Sequence, residues 1–365
     1  TTATASPSPQ PLKKESDNDK KEPTTKPSSS SSPQQQNEEP DVCCICLDEM
    51  SKDHTKLIRF ICCGKTCHAG YQMDVKKNKM PDDLKNRCHQ CRTPVPTTYK
   101  GQIEQLHEWV DKGEAWAQHM MGQSYHGGKY GLKQSYVMAA MLFEKAVAQG
   151  DPNAMYDLAL LYRDGQGVVQ SFEKTVELYT MAAEQGHTNA MYNLGCMYRD
   201  GKRVVQSYTK AVELYTMAAE QGNVGAMFNL GCLYENGQGV VQSFKKAVEL
   251  YAMAVELEHV SAMFNLGVLY EKGKGVVQSF KKAFELYTMG AEQGHFESTS
   301  GLGVLYFRGH GVAQSNESAR EWWTKAANEG HEKAIKNLKI LDEMEATTTA
   351  TTTCTTPTTT TSTST

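Results

Sequence analysis

The sequence predicts an all-α protein in which pairs of helices stack into an α/α superhelical solenoid. The first observation is an internal period of 36 residues, seen in the copies 187–222 and 223–258. The second is that apolar residues recur within a copy at helical spacing, as Ala190, Leu194 and Tyr198 do. A period of this size is typical of stacked supersecondary units, which bury their apolar faces only against their neighbours.

Six full units are predicted, each with two helices. The loop between the helices, such as GQGVVQS at 165–171, carries glycines that permit positive φ. A serine follows each loop and is placed to N-cap the second helix, and a glycine such as Gly222 ends it. The predicted solenoid, 101–345, consists of a capping helix 101–113, the units 114–150, 151–186, 187–222, 223–258, 259–294 and 295–330, and a final helix 331–345.

Alignment of the units also assigns roles to polar residues. His187 and its equivalents open a helix, so we interpret their role as positional. Cys196 and Cys232 align with valines of later units, which favours small core residues. Arg203 stands where other units carry a loop glycine, and this puts a positive φ at residue 203 in doubt.

Several motifs recur in register: the G-x-G-V loop, the L-G-x-x-Y element and the final A-A-x-x-G. Together they resemble the Sel-1-like repeat family over residues 114–345. The resemblance implies units related to tetratricopeptide repeats, whose first helices line a concave groove that binds a protein partner. Asparagines at one first-helix position are then expected to hydrogen-bond an extended partner segment, with solvated or intra-repeat side chains as the alternative; they are Asn193, Asn229 and Asn265.

A second kind of segment precedes the repeats. Eight of the eleven cysteines lie between Cys43 and Cys91. Two C-x-x-C pairs, Cys43/Cys46 and Cys88/Cys91, flank a central cysteine–histidine group, and each pair can present two thiolates to a tetrahedral zinc ion. Such clustering is typical of metal binding in a reducing compartment. The sequence therefore predicts that residues 41–97 bind zinc, two ions rather than one.

The motifs C-I-C-L-D-E and C-x-x-C-R-x-P in this segment resemble the RING finger, a cross-braced two-zinc domain that recruits ubiquitin-conjugating enzymes. For the first ion, the resemblance implies Cys43, Cys46 and His68. The fourth position holds Tyr71, and a phenol with a pKa of about 10 is a poor zinc ligand. The alternatives for this place are Cys44, Cys67, water or an empty site.

The second ion has a complete ligand set under the same resemblance. Cys88 and Cys91 would bind it together with two residues of the central group. Cys63 is one of them, and Cys62 replaces the usual companion, because Lys65 cannot serve as a ligand.

The RING resemblance also implies contacts with a conjugating enzyme. Ile45 would touch that enzyme, and Arg92 would hydrogen-bond both the enzyme and its ubiquitin. No covalent catalytic residue is expected. Two functions follow from the sequence: a ubiquitin-ligase-like adaptor whose solenoid binds a partner protein, or a non-enzymatic scaffold whose zinc module is structural only.

The remaining composition limits the partners and the location. Residues 1–40 and 346–365 are poor in large apolar side chains, so both are predicted to be disordered tails. A net charge of −4 gives no basic field for nucleic acid, and no apolar run is long enough for a membrane span. The cysteines favour the cytoplasm, with access to the nucleus. Residue 1 is threonine, so the N-terminus is treated as incomplete.

Overall fold

The structure, a computed structural model, describes residues 57–59, 66–68 and 98–353, with side chains described from 98 to 347. Within 98–353 the chain forms fourteen helices and no strand. They are Tyr99–Asp111 (α1), Ala115–Gly127 (α2), Tyr136–Val147 (α3), Pro152–Asp164 (α4), Phe172–Glu184 (α5), Thr188–Asp200 (α6), Tyr208–Glu220 (α7), Val224–Asn236 (α8), Phe244–Glu256 (α9), Val260–Lys272 (α10), Phe280–Glu292 (α11), Phe296–Arg308 (α12), Asn316–Asn328 (α13) and Glu332–Thr353 (α14).

Two short strands lie in the segment predicted to bind zinc. Leu57–Arg59 (β1) pairs antiparallel with Thr66–His68 (β2), and Leu57 lies opposite His68. His68 is thus on a strand. The other predicted ligands and enzyme contacts lie outside the described residues, as does the predicted tail 1–40; these are Cys43, Ile45, Cys46, Cys62, Cys63, Cys88, Cys91 and Arg92.

Each unit pairs a first helix (α2, α4, α6, α8, α10 or α12) with a second helix (α3, α5, α7, α9, α11 or α13). The predicted serine caps are confirmed: Ser171 accepts a hydrogen bond from the Lys174 amide at 3.3 Å, and Ser207 and its equivalents do the same. The second helices end in a Schellman motif. At Gly222, φ is 85°, and the next residue, Asn223, donates its amide to the Ala218 carbonyl at 2.9 Å.

Histidines at the start of first helices both cap a helix and join two units. The Nδ1 atom of His259 accepts from the Ala262 amide at 3.2 Å. Its imidazole stacks on Phe228 of the preceding unit, with ring centroids 4.6 Å apart. His187 does the same with Tyr156, at 4.7 Å. The positional role predicted for these histidines is therefore correct, and it includes an inter-unit contact.

The core is built from alanines and from one large ring per unit. Ala218 is completely buried between helices, as is the ring of Tyr215. Gly195 allows this ring to approach, since a Cβ atom at residue 195 would lie 2.7 Å from Tyr215 Cε1. Close packing of small residues against tyrosine thus sets the distance between the two helices of a unit.

The loop between the helices requires a left-handed backbone in every unit from the second to the sixth. Gly239 has φ 72°, and a Cβ atom there would lie 2.5 Å from the carbonyl carbon of Tyr208. Arg203, at the equivalent position, also has positive φ, at 65°. The doubt raised by the sequence is therefore removed. The Arg203 guanidinium lies 4.9 Å above the Phe172 ring, a contact that offsets part of the backbone cost.

The two ends of the solenoid differ from the prediction in extent. The first helix, α1, buries Ile103 and Leu106 against Met121. The last helix, α14, continues to Thr353, so the first residues of the predicted C-terminal tail, 346–353, are helical. The reason is that no glycine or proline interrupts the chain between Glu332 and Pro357. Among the described helices, none has an apolar stretch that could cross a bilayer.

Candidate partner-binding surface

The first helices present four aligned rows of side chains, which together we name the first-helix face. One row is aromatic, one carries amides, one is small or aliphatic, and one is charged. The rows are Tyr156, Tyr192, Phe228 and Phe264; Asn193, Asn229 and Asn265; Leu160, Cys196, Cys232 and Val268; and Arg163, Arg199, Glu235 and Glu271.

The asparagines of this face contact the preceding unit. Asn193 donates through Nδ2 to the hydroxyls of Tyr156 at 3.4 Å and Tyr179 at 3.3 Å. Asn265 donates to the Tyr251 hydroxyl at 3.2 Å. Asn229 is only 7% exposed and points its amide at the Cys196 thiol. These contacts link neighbouring units, a role that the sequence interpretation did not include. Binding of a partner by these amides stays a prediction.

At the N-terminal end of the solenoid, an aspartate instead of an asparagine links neighbouring units. Asp157 takes the asparagine position in the second unit. One of its carboxylate oxygens, Oδ2, lies 2.8 Å from His119 Nε2 and accepts from Gln123 Nε2 at 2.9 Å. A polar side chain at this position therefore connects consecutive first helices from the first unit to the fifth.

The two cysteines of the face pack against the main hydrophobic core, at its edge rather than inside it. Cys196 and Cys232 are half-buried free thiols. The Tyr215 hydroxyl lies 3.2 Å from Cys196 Sγ, and the Tyr251 hydroxyl lies 3.3 Å from Cys232 Sγ. Burial raises the pKa of the Cys232 thiol, so this thiol is protonated and not activated as a nucleophile.

The charged row changes sign along the solenoid. Arg163 forms two hydrogen bonds with Asp164, at 2.7 and 2.9 Å, and Arg199 forms one with Asp200. In the next two units the position is acidic, and Glu235 accepts a hydrogen bond from the Tyr251 hydroxyl at 2.8 Å. The row thus holds arginines paired with a neighbouring aspartate in the second and third units, and glutamates in the fourth and fifth.

Tyrosines of the second helices lie beneath this charged row. Burial is the main cause that raises the pKa of Tyr179 to about 12. Burial also raises the pKa of Tyr287, and the carboxylate of Glu271, which accepts a hydrogen bond from the Tyr287 hydroxyl at 2.8 Å, adds to the shift. The hydroxyls of Tyr251 and Tyr287 therefore donate to the glutamates of the charged row, whereas the Tyr179 hydroxyl accepts from Asn193.

A groove opens on this face near the C-terminal end. It has a volume of about 490 Å³ and lies between α10, α12 and α14. Its apolar lining includes Phe264, Val268, Val304 and Ile340, and Lys336 lies at its edge.

The groove exists because the sixth unit departs from the repeat. Gly301 stands at the asparagine position, and a Cβ atom there would lie 3.1 Å from the Tyr287 ring. Ser300 likewise replaces the aromatic residue. The sequence contained this signal, since both substitutions are visible in the aligned repeats, but it did not show that α14 forms the opposite wall.

The described side chains contain no candidate metal centre. From residue 98 to 347, no three histidine, cysteine or acidic side chains are grouped to hold an ion. The zinc prediction concerns residues 41–97, of which only two short strands are described, and it is not tested by this result.

Comparison with known proteins agrees with the repeat architecture. Two solved structures are 28% identical in sequence to the chain. A protective antigen of uropathogenic Escherichia coli strains, which displays an SLR fold, aligns with a TM-score of 0.64 over 68% of this chain and 53% of its own. A Sel1 repeat protein from Oxalobacter formigenes aligns with a TM-score of 0.55 over 62% of this chain and 91% of its own. The chain thus spans about half the length of the antigen.

No curated protein matches the chain. A family model described as the Sel1 repeat matches six consecutive segments, 117–151, 152–187, 188–223, 224–259, 260–295 and 297–331. These segments make up more than half of the chain and follow the two-helix units of the structure. The chain therefore belongs to the Sel1 repeat family.

Proposed function

We propose that the protein is an adaptor whose solenoid binds a partner protein in the groove between α10, α12 and α14. The observation that carries the proposal is the apolar lining of that groove. Ile340 is 52% exposed at its wall, and Phe264, Val268 and Val304 lie beside it. A concave surface lined by apolar side chains favours the burial of a partner's apolar side chains. Burial stabilises the complex by about 25 cal/mol for each Å² of apolar area removed from water.

The groove can be tested with two isoleucines of one helix. Ile340 lines the groove, whereas Ile335, 39% exposed, is on the same helix and does not line it. Peptides that bind the native chain are selected from a random phage-displayed library. Their affinities are then measured for the native chain and for the variants Ile340→Glu and Ile335→Glu. We expect Ile340→Glu to weaken binding by about tenfold or more and Ile335→Glu to have little effect. Equal effects of the two variants would refute the groove as the binding site.

The finer part of the proposal concerns residues 41–97. We propose that Cys43, Cys46 and His68 contribute to one zinc site and that the remaining predicted cysteines, Cys62, Cys63, Cys88 and Cys91, form a second. The support is the spacing of the two C-x-x-C pairs around the central group. Metal analysis of the full chain tests it. Two zinc ions per chain are expected, no bound zinc excludes the module, and one ion indicates loss at Tyr71, which Tyr71→Cys should then restore.

Recruitment of a ubiquitin-conjugating enzyme is the corresponding functional proposal, and it places the protein in the cytoplasm or nucleus. Ile45 and Arg92 are the residues proposed to contact the enzyme. Incubation of the full chain with conjugating enzymes and ubiquitin should produce ubiquitin chains, and Ile45→Ala should reduce them. If the chain binds zinc and produces no ubiquitin chains, the alternative function, a scaffold with a structural zinc module, is the correct one.

A further inference from the structure

The second helices carry a row of exposed methionines on the side that does not pack against the core. Met181, Met217, Met253 and Met289 occupy the same position in four consecutive units and are 37–45% exposed. Methionine is more often buried, and its flexible, polarisable side chain is common at surfaces that bind varied partners. The row therefore forms an apolar stripe across the second, third, fourth and fifth units.

Glutamates border this stripe on both sides. On α7, Glu213 precedes Met217 by four residues and Glu220 follows it by three, so all three side chains lie on one helix face. The same spacing occurs on α5, α9 and α11. The eight glutamates are all exposed, and within 98–347 none of them forms an ion pair; they are Glu177, Glu184, Glu213, Glu220, Glu249, Glu256, Glu285 and Glu292.

The lysines of these helices form no ion pair with the glutamates. One aligned lysine per helix lies over a tyrosine ring of its own unit, as Lys210 does over Tyr198 at 4.9 Å. Lys174, Lys246 and Lys282 make the equivalent contact at 4.6–4.9 Å. Two further lysines, Lys245 and Lys281, precede a bordering glutamate by four residues, and no ion pair joins either of them to it. The face is therefore apolar along its centre and acidic at its edges.

The stripe has defined ends. In the first unit, Lys145 takes the methionine position, and Met141 and Ala148 take the two glutamate positions. In the sixth unit the methionine position is Lys325. Both ends of the stripe thus carry a cation.

We propose that this second-helix face is an additional docking surface, and that its partner is a basic amphipathic segment. Such a segment would place large apolar side chains on the methionine row and lysines or arginines against the two rows of glutamates. Charge complementarity favours this partner over an acidic or a neutral one. The two surfaces share α11, which carries Met289 of the stripe and Tyr287 of the groove, but no residue belongs to both, so the two proposals are tested by different variants.

The probe is a synthetic peptide of about 18 residues, or five helical turns, made of leucine on one face and lysine on the other. Fluorescence anisotropy measures its binding to the full chain. We expect Met217→Gln with Met253→Gln to weaken binding by about tenfold or more, which corresponds to about 1.4 kcal/mol. Glu213→Gln with Glu249→Gln should weaken it similarly and reduce its dependence on ionic strength. Circular dichroism checks that each variant keeps its helix content.

Two controls make the test specific. Met141→Gln removes a methionine that is 50% exposed but lies outside the stripe, and it should leave binding unchanged. Ile340→Glu in the groove should also leave it unchanged. Unaltered affinity of the methionine double variant would overturn the proposal. So would equally tight binding of a peptide in which serine replaces every leucine, because the interaction would then be only electrostatic.

Discussion

Glu258, two residues after the end of α9, has a backbone conformation that suits glycine, and its replacement by glycine is expected to stabilise the protein. Its φ is 62°, whereas the five equivalent positions are glycines with φ between 80° and 86°. The hydrogen bonds of the Schellman motif are present nonetheless, with the Glu258 amide 2.9 Å from the Val255 carbonyl and the His259 amide 2.9 Å from the Ala254 carbonyl. The side chain is exposed, so the substitution changes mainly the backbone energy.

The magnitude follows from two opposing terms. A left-handed backbone costs a residue with a Cβ atom about 1–2 kcal/mol. Replacement by glycine removes this cost. Glycine also loses more conformational entropy on folding, however, and this destabilises the folded state by about 0.5–1 kcal/mol. Glu258→Gly should therefore raise the free energy of unfolding by about 0.5–1 kcal/mol. For a folded region of this size, the Tm should rise by about 1–4 °C.

Thermal melts followed by circular dichroism measure this effect, and Gly222→Glu is the matched control. Gly222 has φ 85° with no atom within 4 Å of a Cβ placed on it, so the reverse substitution tests only backbone strain. Its Tm should fall by a similar amount. A lower Tm for Glu258→Gly, or an unchanged Tm for Gly222→Glu, would refute the argument from backbone conformation.

Three further predictions concern the contacts between units. Asn193→Leu removes two hydrogen bonds to the preceding unit and should lower the free energy of unfolding by about 0.5–1.5 kcal/mol in urea titrations; an unchanged midpoint would show that these bonds do not stabilise the stack. Ala218→Leu should overpack a fully buried position and cost about 1–3 kcal/mol in the same assay. Burial lowers the pKa of His259 and His295, so the unfolded chain binds more protons than the folded chain. The stabilising effect of the two neutral histidines is therefore complete above their unfolded-state pKa, near 6.5. It is lost as the pH falls through their lower folded-state pKa values. Replacing both by asparagine, the residue that caps α8 as Asn223, should flatten the fall in Tm below pH ~6.5, and an unaltered pH profile would exclude these two histidines as its source.

The periodic features of the fold could be read from the sequence because each rests on local chemistry. Ser171 and its equivalents are caps by residue type and position, and Gly222 ends a helix because of its positive φ. The left-handed backbone of Arg203 and Glu258 could not be predicted from residue type in the same way. A left-handed residue with a side chain is held there by the surrounding repeat, which one position of the sequence does not reveal.

The candidate site was harder to predict than the fold. The position shared by Asn193, Asn229 and Asn265 was evident, but the hydrogen bonds of these residues to tyrosine and cysteine depend on how one unit rests on the next. The groove depends on Ser300 and Gly301, which depart from the repeat, and on α14, which begins in the repeat frame at His331. The zinc ligands stay a prediction, since their spacing is the evidence for them.

The change of sign between Arg199 and Glu235 bears on the direction in which an extended partner could lie along the first-helix face. Because the units are nearly identical, an extended partner could bind in several equivalent registers, each displaced from the next by one unit. The charged row removes that degeneracy, because a partner that is acidic toward one end and basic toward the other matches it in a single polarity and a single frame. Exchanging the two charges, by Arg199→Glu with Glu235→Arg, would replace this single boundary with an alternation of sign along the row, without altering the number of units.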